Sequence, residues 1–344
     1  MKVMYIGADV AKANVVLAMR VDGRVHKLAT VKNEPAGFET LAQQIEHNTR
    51  KHEVTQIHLV VEPTGGYELQ LAHFAYGRGW QVIMVNPKLA RDWAKSQGQR
   101  AKTDELDAQL LANYAAERPE NKPLPIWQPM PEMITQLDSL VARRRDLEQL
   151  LQQERNRQDM YALRPALSND IVPSSINAII TAATQALADI EQAMQDLIDR
   201  HPAVHEQLDQ LDSIPGVGPK TLLPFFTLLA RWDAMTGGRG SDKALTAFVG
   251  LDAVTSQSGT RTRRGHISKT GDPEMRRVLF MAALGGKRGK NPLHDFYEGL
   301  VGRGKLRMVA MVAAARKILL WGLAIFRSHS YFDASKCASK RLTN

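Results

Sequence analysis

Val3-Met4-Tyr5-Ile6-Gly7-Ala8-Asp9 is an apolar run that ends on a carboxylate. Six consecutive apolar or small residues at the start of a chain read as a buried strand, and Asp9 then emerges at its end. Residues 14–21 and 25–31 follow as strand-like segments, and Gly23 between them supplies a hairpin turn. Residues 35–47 switch to helical periodicity, and residues 56–61 form another apolar strand, which ends on Glu62. Pro63-Thr64-Gly65-Gly66 breaks that run, residues 67–76 read as a helix, and residues 81–85 as a further strand before Asn86-Pro87.

Three strands followed by alternating helix and strand predict a mixed sheet carrying helices, the order of a ribonuclease-H-like fold. Ligands in α/β sheets gather at strand ends, which gives Asp9 and Glu62 a common address. Lys102-Thr103-Asp104-Glu105-Leu106-Asp107-Ala108-Gln109-Leu110-Leu111-Ala112 opens an amphipathic helix with Thr103 or Asp104 as N-cap. Asp104 and Asp107 stand at i and i+3, on one face of its first turn. Alone, that spacing is what any helix N-terminus favours for its dipole. With Asp9 and Glu62 it makes four carboxylates, the all-oxygen donor set that Mg²⁺ requires, in an arrangement suited to phosphoryl transfer.

The charge is distributed unevenly. The 344 residues carry a net +9, but residues 253–344 hold 18 Lys+Arg against 5 Asp+Glu, so the basic excess is C-terminal. Such a concentration predicts a polyanion-binding module, and nucleic acid is the usual polyanion. One cysteine, Cys337, excludes a disulfide framework and a cysteine-rich zinc site. No long uncharged apolar run and no signal-like N-terminus is present, so the expectation is a cytoplasmic protein with no membrane partner.

Residues 117–131, rich in Pro and polar residues, read as a linker. Residues 132–163 and 175–201 are two long amphipathic helices, broken near Pro165 and Pro173, which predict an antiparallel helical hairpin or coiled coil acting as a spacer or dimerisation arm. Ile214-Pro215-Gly216-Val217-Gly218-Pro219-Lys220-Thr221 resembles the turn of a helix-hairpin-helix motif. There Gly216 and Gly218 let the backbone approach a phosphate, and Lys220 adds charge without reading bases. The basic block that follows sets Ser256, Ser258 and Ser268 among Arg261, Arg263, Arg264 and Lys269, with glycines at its edges. Each serine is placed as a phosphate hydrogen-bond donor or a nucleophile. Helices over 273–284 and 305–326 and a polar tail from 328 complete the chain.

Taken in order, Ile6-Gly7-Ala8-Asp9-Val10-Ala11-Lys12, Val61-Glu62-Pro63-Thr64-Gly65-Gly66-Tyr67, Asn86-Pro87, Lys102-Thr103-Asp104-Glu105-Leu106-Asp107-Ala108, Ile214-Pro215-Gly216-Val217-Gly218 and the block from Gln257-Ser258-Gly259 to Ile267-Ser268-Lys269-Thr270-Gly271 resemble the DEDD transposases of the insertion-sequence-110 type, which include related DNA invertases. The motifs span most of the chain in the family's order. The resemblance implies a RuvC-like domain over residues 1–125 whose tetrad Asp9, Glu62, Asp104 and Asp107 binds Mg²⁺. It implies a helical arm over 126–205, then a transposase domain over 206–327 in which Ser258 attacks DNA and forms a covalent phosphoserine link. It further implies donor and target DNA as substrates, a structured noncoding guide RNA, and homodimers that assemble into homotetramers, the serine loop of one subunit serving the acidic site of another. Nucleoid association follows from such substrates. The overall class expected is α/β plus α.

Three other readings compete. A RuvC-like junction endonuclease would use the same tetrad and metal-activated water, with no serine. An actin-like sugar kinase would use the glycine-bearing runs near Lys12 and Gly65 as phosphate loops, but the basic C-terminal third and the Asp104/Asp107 pair speak against it, and the chain has no G-x-x-x-x-G-K-[ST] nucleotide loop. A non-catalytic nucleic-acid-binding protein would leave the carboxylates without a task.

Overall fold

The computed structural model describes residues 2–98, 103–119, 124–163, 171–254, 257–258, 261–262 and 265–338. They form two compact units. The first comprises Met1–Pro129 with Trp232–Gly240, and the second Met130–Arg231 with Ser241–Asn344.

The first unit is built on β1 (Val3–Val10), β2 (Asn14–Val21), β3 (Arg24–Lys27), β4 (Val31–Lys32), β5 (Gln56–Val61) and β6 (Gln81–Met84). The sheet runs β3-β2-β1-β5-β6, with β4 also paired to β2. β1, β2 and β3 are antiparallel, whereas β1, β5 and β6 are parallel, so β1 is the seam between two halves. The β2–β3 turn has positive φ at both Asp22 and Gly23, the backbone twist that closes a tight hairpin.

Helices cover both faces, as a partly parallel sheet requires. On one face α1 (Pro35–His52) and α2 (Leu69–Gly77) bury Phe38, Leu41, Ile45, Leu71 and Ala75 against Met4, Ile6, Ala8, Leu59 and Val61. On the other, α3 (Pro87–Ser96) and α4 (Asp104–Ala116) pack Ala90, Ala94, Leu110, Leu111 and Tyr114 against Val60, Ile83 and Val85. Along β1 and β5 successive side chains alternate between these two cores. Trp127 lies in the first core and its amide donates to the Val82 carbonyl at 2.7 Å.

The second unit is helical. α5 (Glu132–Ala162) and α6 (Ile171–Asp199) pair antiparallel: Leu147 and Leu151 meet Ala183 and Leu187, and further along Gln158 reaches Asn177 at 2.7 Å. α6 begins before Pro173, which is accommodated in its first turn because no intrahelical bond is required of its nitrogen there. α7 (Pro202–Asp212), α8 (Leu222–Thr236), whose residues from Trp232 on belong to the first unit, and α9 (Asp242–Val249) follow. Between α9 and the next helix the described residues include four two-residue strands: β7 (Ala253–Val254), β8 (Gln257–Ser258), β9 (Arg261–Thr262) and β10 (His266–Ile267). α10 (Pro273–Gly286), α11 (Pro292–Gly302), α12 (Arg307–Ser328) and α13 (Ser335–Ala338) close the chain.

α12 is the core helix, with Ala310, Ala314, Ile318 and Leu319 fully buried, and Gly322 lies where any Cβ would strike the Phe225 ring. α6 and α12 are both long and apolar enough to span a membrane by length and composition. The architecture is α/β plus α.

Candidate active site and nucleic-acid elements

The carboxylates of the first unit stand at one edge of its sheet. Ala8 pairs in parallel with Val61, so Asp9 and Glu62, one residue beyond, end neighbouring strands. Asp9 shares its face with Tyr5 and Gly7, and Glu62 shares its own with Val60, so both point to the face that α4 covers. Both are half-buried.

Gly7 is what lets α4 lie there. A Cβ on Gly7 would fall on the Ala108 carbonyl oxygen and 2.7 Å from the Ala112 nitrogen, so helix and strand meet backbone to backbone. The direction of α4 follows from its polar contacts. Near its C-terminus Asn113 and Glu117 accept from the Arg20 guanidinium at 2.9 and 2.8 Å, and Arg20 sits opposite Tyr5. Near its N-terminus Glu105 pairs with Lys27 at 2.5 Å. α4 therefore runs against β1, and its first turn lies toward the edge that carries Asp9 and Glu62.

Thr103 caps that turn, its hydroxyl accepting from the Leu106 amide at 3.2 Å. Asp104 is exposed and Asp107 half-buried, while Glu105 is engaged by Lys27. Among the described residues, no three His, Cys, Asp or Glu side chains are drawn together closely enough to cage an ion. The donor set nevertheless suits a hard cation that retains waters and takes substrate phosphate oxygens, because such an ion needs only one or two protein carboxylates at a time.

One residue the sequence did not single out shapes the loop after Glu62. Glu68 is 4% exposed, and its Oε2 accepts from the Thr64 and Gly66 amides at 2.9 and 3.0 Å. The Thr64 hydroxyl in turn donates to the Glu62 carbonyl at 3.0 Å. A buried carboxylate inside a turn of two glycines with positive φ fixes a backbone that would otherwise be loose. The signal was present in Gly65-Gly66-Tyr67-Glu68, but a glutamate at a helix start reads as solvated.

In the second unit the turn from Ile214 to Thr221 is compact. Val217 donates to the Ile214 carbonyl at 3.0 Å, and the Thr221 and Leu222 amides donate to the Gly218 carbonyl at 2.8 Å. Gly216, at φ +96°, packs on α10, where a Cβ would lie 2.7 Å from the Gly286 nitrogen. Its glycine identity is thus accounted for by packing. Gly218 has open space in front of it, and Lys220 is exposed.

Among its described residues the basic block holds two short antiparallel strand pairs. Ala253 and Val254 pair with Ile267 and His266, and Gln257 and Ser258 pair with Thr262 and Arg261. Ser258 thus stands opposite Arg261. Ser256, Arg263 and Arg264 lie outside the described residues. Ser268 follows the first pair, and its hydroxyl donates to the Asp252 carboxylate and its amide to the Asp252 carbonyl at 3.0 Å. Lys269 follows with φ 54°, its amide donating to Gly250 at 3.2 Å.

An acidic strand edge under a helix turn, in a chain that also carries a phosphate-suited turn and a basic block, is the equipment of an enzyme acting on DNA strands. Comparison with known proteins agrees. Residues 6–161 match a transposase model of the DEDD type, and residues 208–298 match the model described as Transposase IS116/IS110/IS902 family. The chain is 30% identical over 331 residues to the pilin gene-inverting protein of Moraxella lacunata, covering 96% of this chain and 97% of that one. The pilin gene-inverting protein of Moraxella bovis is equally similar, at 30% over the same shares. Among solved structures, RuvC of T. thermophilus in complex with a Holliday junction substrate aligns with a TM-score of 0.25 and 12% identity, over 33% of this chain and 92% of that one. The chain belongs to the IS116/IS110/IS902 transposase family. It is a transposase or recombinase, an enzyme that cleaves and rejoins DNA.

Proposed function

We propose that the chain is a site-specific recombinase of an insertion sequence, in which Asp9, Glu62, Asp104 and Asp107 form the acidic half of the active site and Ser258 the nucleophile. The observation that carries this reading is the glycine-permitted contact of α4 on β1, which brings the turn bearing Asp104 and Asp107 to the sheet edge that ends in Asp9 and Glu62. The sheet order supports reading residues 1–125 as RuvC-like. Residues 126–205 serve as the helical arm, and residues 206–327 as the transposase domain, followed by a tail over 328–344.

The four carboxylates would hold Mg²⁺, which supplies charge for the pentavalent phosphate and lowers the barrier to nucleophile deprotonation. This chain's own groups do the rest. The Ser258 hydroxyl loses its proton and its oxygen attacks phosphorus, while one P–O ester bond breaks and the departing strand end takes up a proton. One phosphodiester is exchanged for another, so no high-energy cofactor is consumed. Rejoining is the reverse step with a hydroxyl from a different strand. Gly216, Gly218, Lys220, Arg261, Arg263, Arg264 and Lys269 would hold the phosphate backbone or shape the turns that do.

Donor and target DNA are the substrates, and we assign the choice of sites to a structured noncoding guide RNA. The working assembly is a homodimer that forms a homotetramer, in the cytoplasm at the nucleoid.

The test is strand cleavage of element-boundary DNA. Asp104→Ala and Asp107→Ala should abolish cleavage with folding and DNA binding retained, and normal recombination by either would refute the tetrad. Ser258→Ala should eliminate a covalent protein–DNA adduct detected by mass spectrometry. Undiminished cleavage by that variant would favour the junction endonuclease, which uses water instead.

A further inference from the structure

The second unit contains a cationic cavity apart from the basic block and the acidic edge. It measures about 180 Å³ and is enclosed by α5, the turn at Lys220, α8 and the start of α10. A wider hollow of about 390 Å³ continues from it, sharing Glu148, Lys220 and Arg277 and extending to Arg155 on α5. Together the two are lined by Arg144, Arg145, Arg155, Lys220, Arg231 and Arg277, drawn from three segments far apart in the chain: α5, the turn at Lys220 with the α8 it opens, and α10.

The acidic residues of the lining are largely committed. Glu274 grips Arg277 with both oxygens, at 2.9 and 2.5 Å. Asp272 caps α10 by accepting from the Glu274 amide at 2.8 Å. Glu148 stands 3.8 Å from Arg144, and Asp138 completes the acidic set. Among the described residues, Arg155, Lys220 and Arg231 make no ion pair. The Arg231 Nε is moreover buried without any hydrogen-bond partner. Six cationic side chains line the two hollows against four acids, Asp138, Glu148, Asp272 and Glu274, a balance that favours an anion.

Resting on the recombinase reading above, we propose that this cavity and its extension seat the phosphodiester backbone of a nucleic acid, one phosphate inside at Arg231 and Arg145 and its neighbours along Lys220 and Arg155. The glycine turn ending at Lys220 forms one wall, so a strand leaving the turn would pass directly into the hollow. Guanidinium forks suit phosphate oxygens and read no base, so recognition here is sequence-independent.

The experiment measures binding of the full chain to a duplex DNA and to a duplex RNA of the same sequence, across a salt series in EDTA. Arg145→Gln/Arg155→Gln/Lys220→Gln should bind roughly tenfold more weakly at moderate salt and flatten the salt dependence by about two to three units, one for each phosphate no longer neutralised. Weakening against DNA alone assigns the backbone to DNA, and weakening against RNA alone to RNA. If the triple variant melts early, Lys220→Gln alone should flatten the slope by about one unit. An unchanged slope against both polymers overturns the proposal while leaving the recombinase reading intact. A wild-type chain that binds neither polymer overturns both.

Discussion

Gly7 and Ala108 are in backbone contact, with no side chain between strand and helix. A methyl group on Gly7 has nowhere to go, because the atoms it would meet are a carbonyl oxygen and a peptide nitrogen rather than the end of a flexible chain. Gly7→Ala should therefore push α4 off β1, costing about 1–3 kcal/mol of stability by overpacking. Strand cleavage should fall further than stability alone explains, since Asp104 and Asp107 move with the helix. Thermal melting and cleavage measured side by side separate the two effects, and full cleavage by a folded variant would argue against the site.

Glu68 gives a second handle. Glutamine keeps its shape but replaces one of two carboxylate acceptors with a donor, leaving the Thr64 and Gly66 amides to share a weaker partner. Glu68→Gln should destabilise the chain by about 1–3 kcal/mol. Cleavage should drop with DNA affinity unchanged, because the loop it pins is attached to Glu62. Equal losses in affinity and cleavage would place Glu68 outside the site.

His58 makes stability depend on pH. Both of its ring nitrogens are buried without a partner among the described residues, and burial holds its pKa below the ordinary 6.5. The unfolded chain therefore binds a proton at a pH where the folded chain does not. His58 contributes full stability above about pH 6.5, and that contribution is lost as the pH falls toward its lower folded value. Melting temperature followed from about pH 7.5 to about pH 5 should decline more steeply for the wild type than for His58→Leu. Parallel curves would contradict the assignment.

Gly216 and Gly218 should respond differently although only Val217 separates them. Gly216→Ala meets α10 and requires an unfavourable φ, so it should lose about 2 kcal/mol or more and reduce DNA binding through unfolding. Gly218→Ala has room and should melt like the wild type. If the turn approaches a phosphate, its affinity for DNA should nonetheless fall about threefold to tenfold. Calorimetry and a binding titration on the same preparations distinguish these outcomes.

The mixed sheet and the carboxylates at its strand ends were legible in sequence because β1 and β5 are largely apolar and are followed or closed by acids. The bounds of α3 and α11 were not. Both open with Asn-Pro, at Asn86-Pro87 and Asn291-Pro292, which reads as a chain break. In each, the asparagine side chain accepts from the amide two residues on, and proline fills the first helical position, so the dipeptide starts a helix. The strand pairs of the basic block were hidden for another reason: each strand is only two residues long, too short to show a period. The role of Gly7 was invisible because a missing side chain announces a close approach without naming the partner.

The seam position of β1 has a mechanical meaning. Asp104 and Asp107 ride on a helix strapped to the antiparallel ribbon through Arg20 and Lys27, whereas Glu62 ends a strand of the parallel half. Asp9 belongs to neither half alone. The four carboxylates are thus carried on three separate elements, β1, β5 and α4, that all meet the main chain of one strand, so their spacing follows from backbone packing rather than from any contact between the acids themselves.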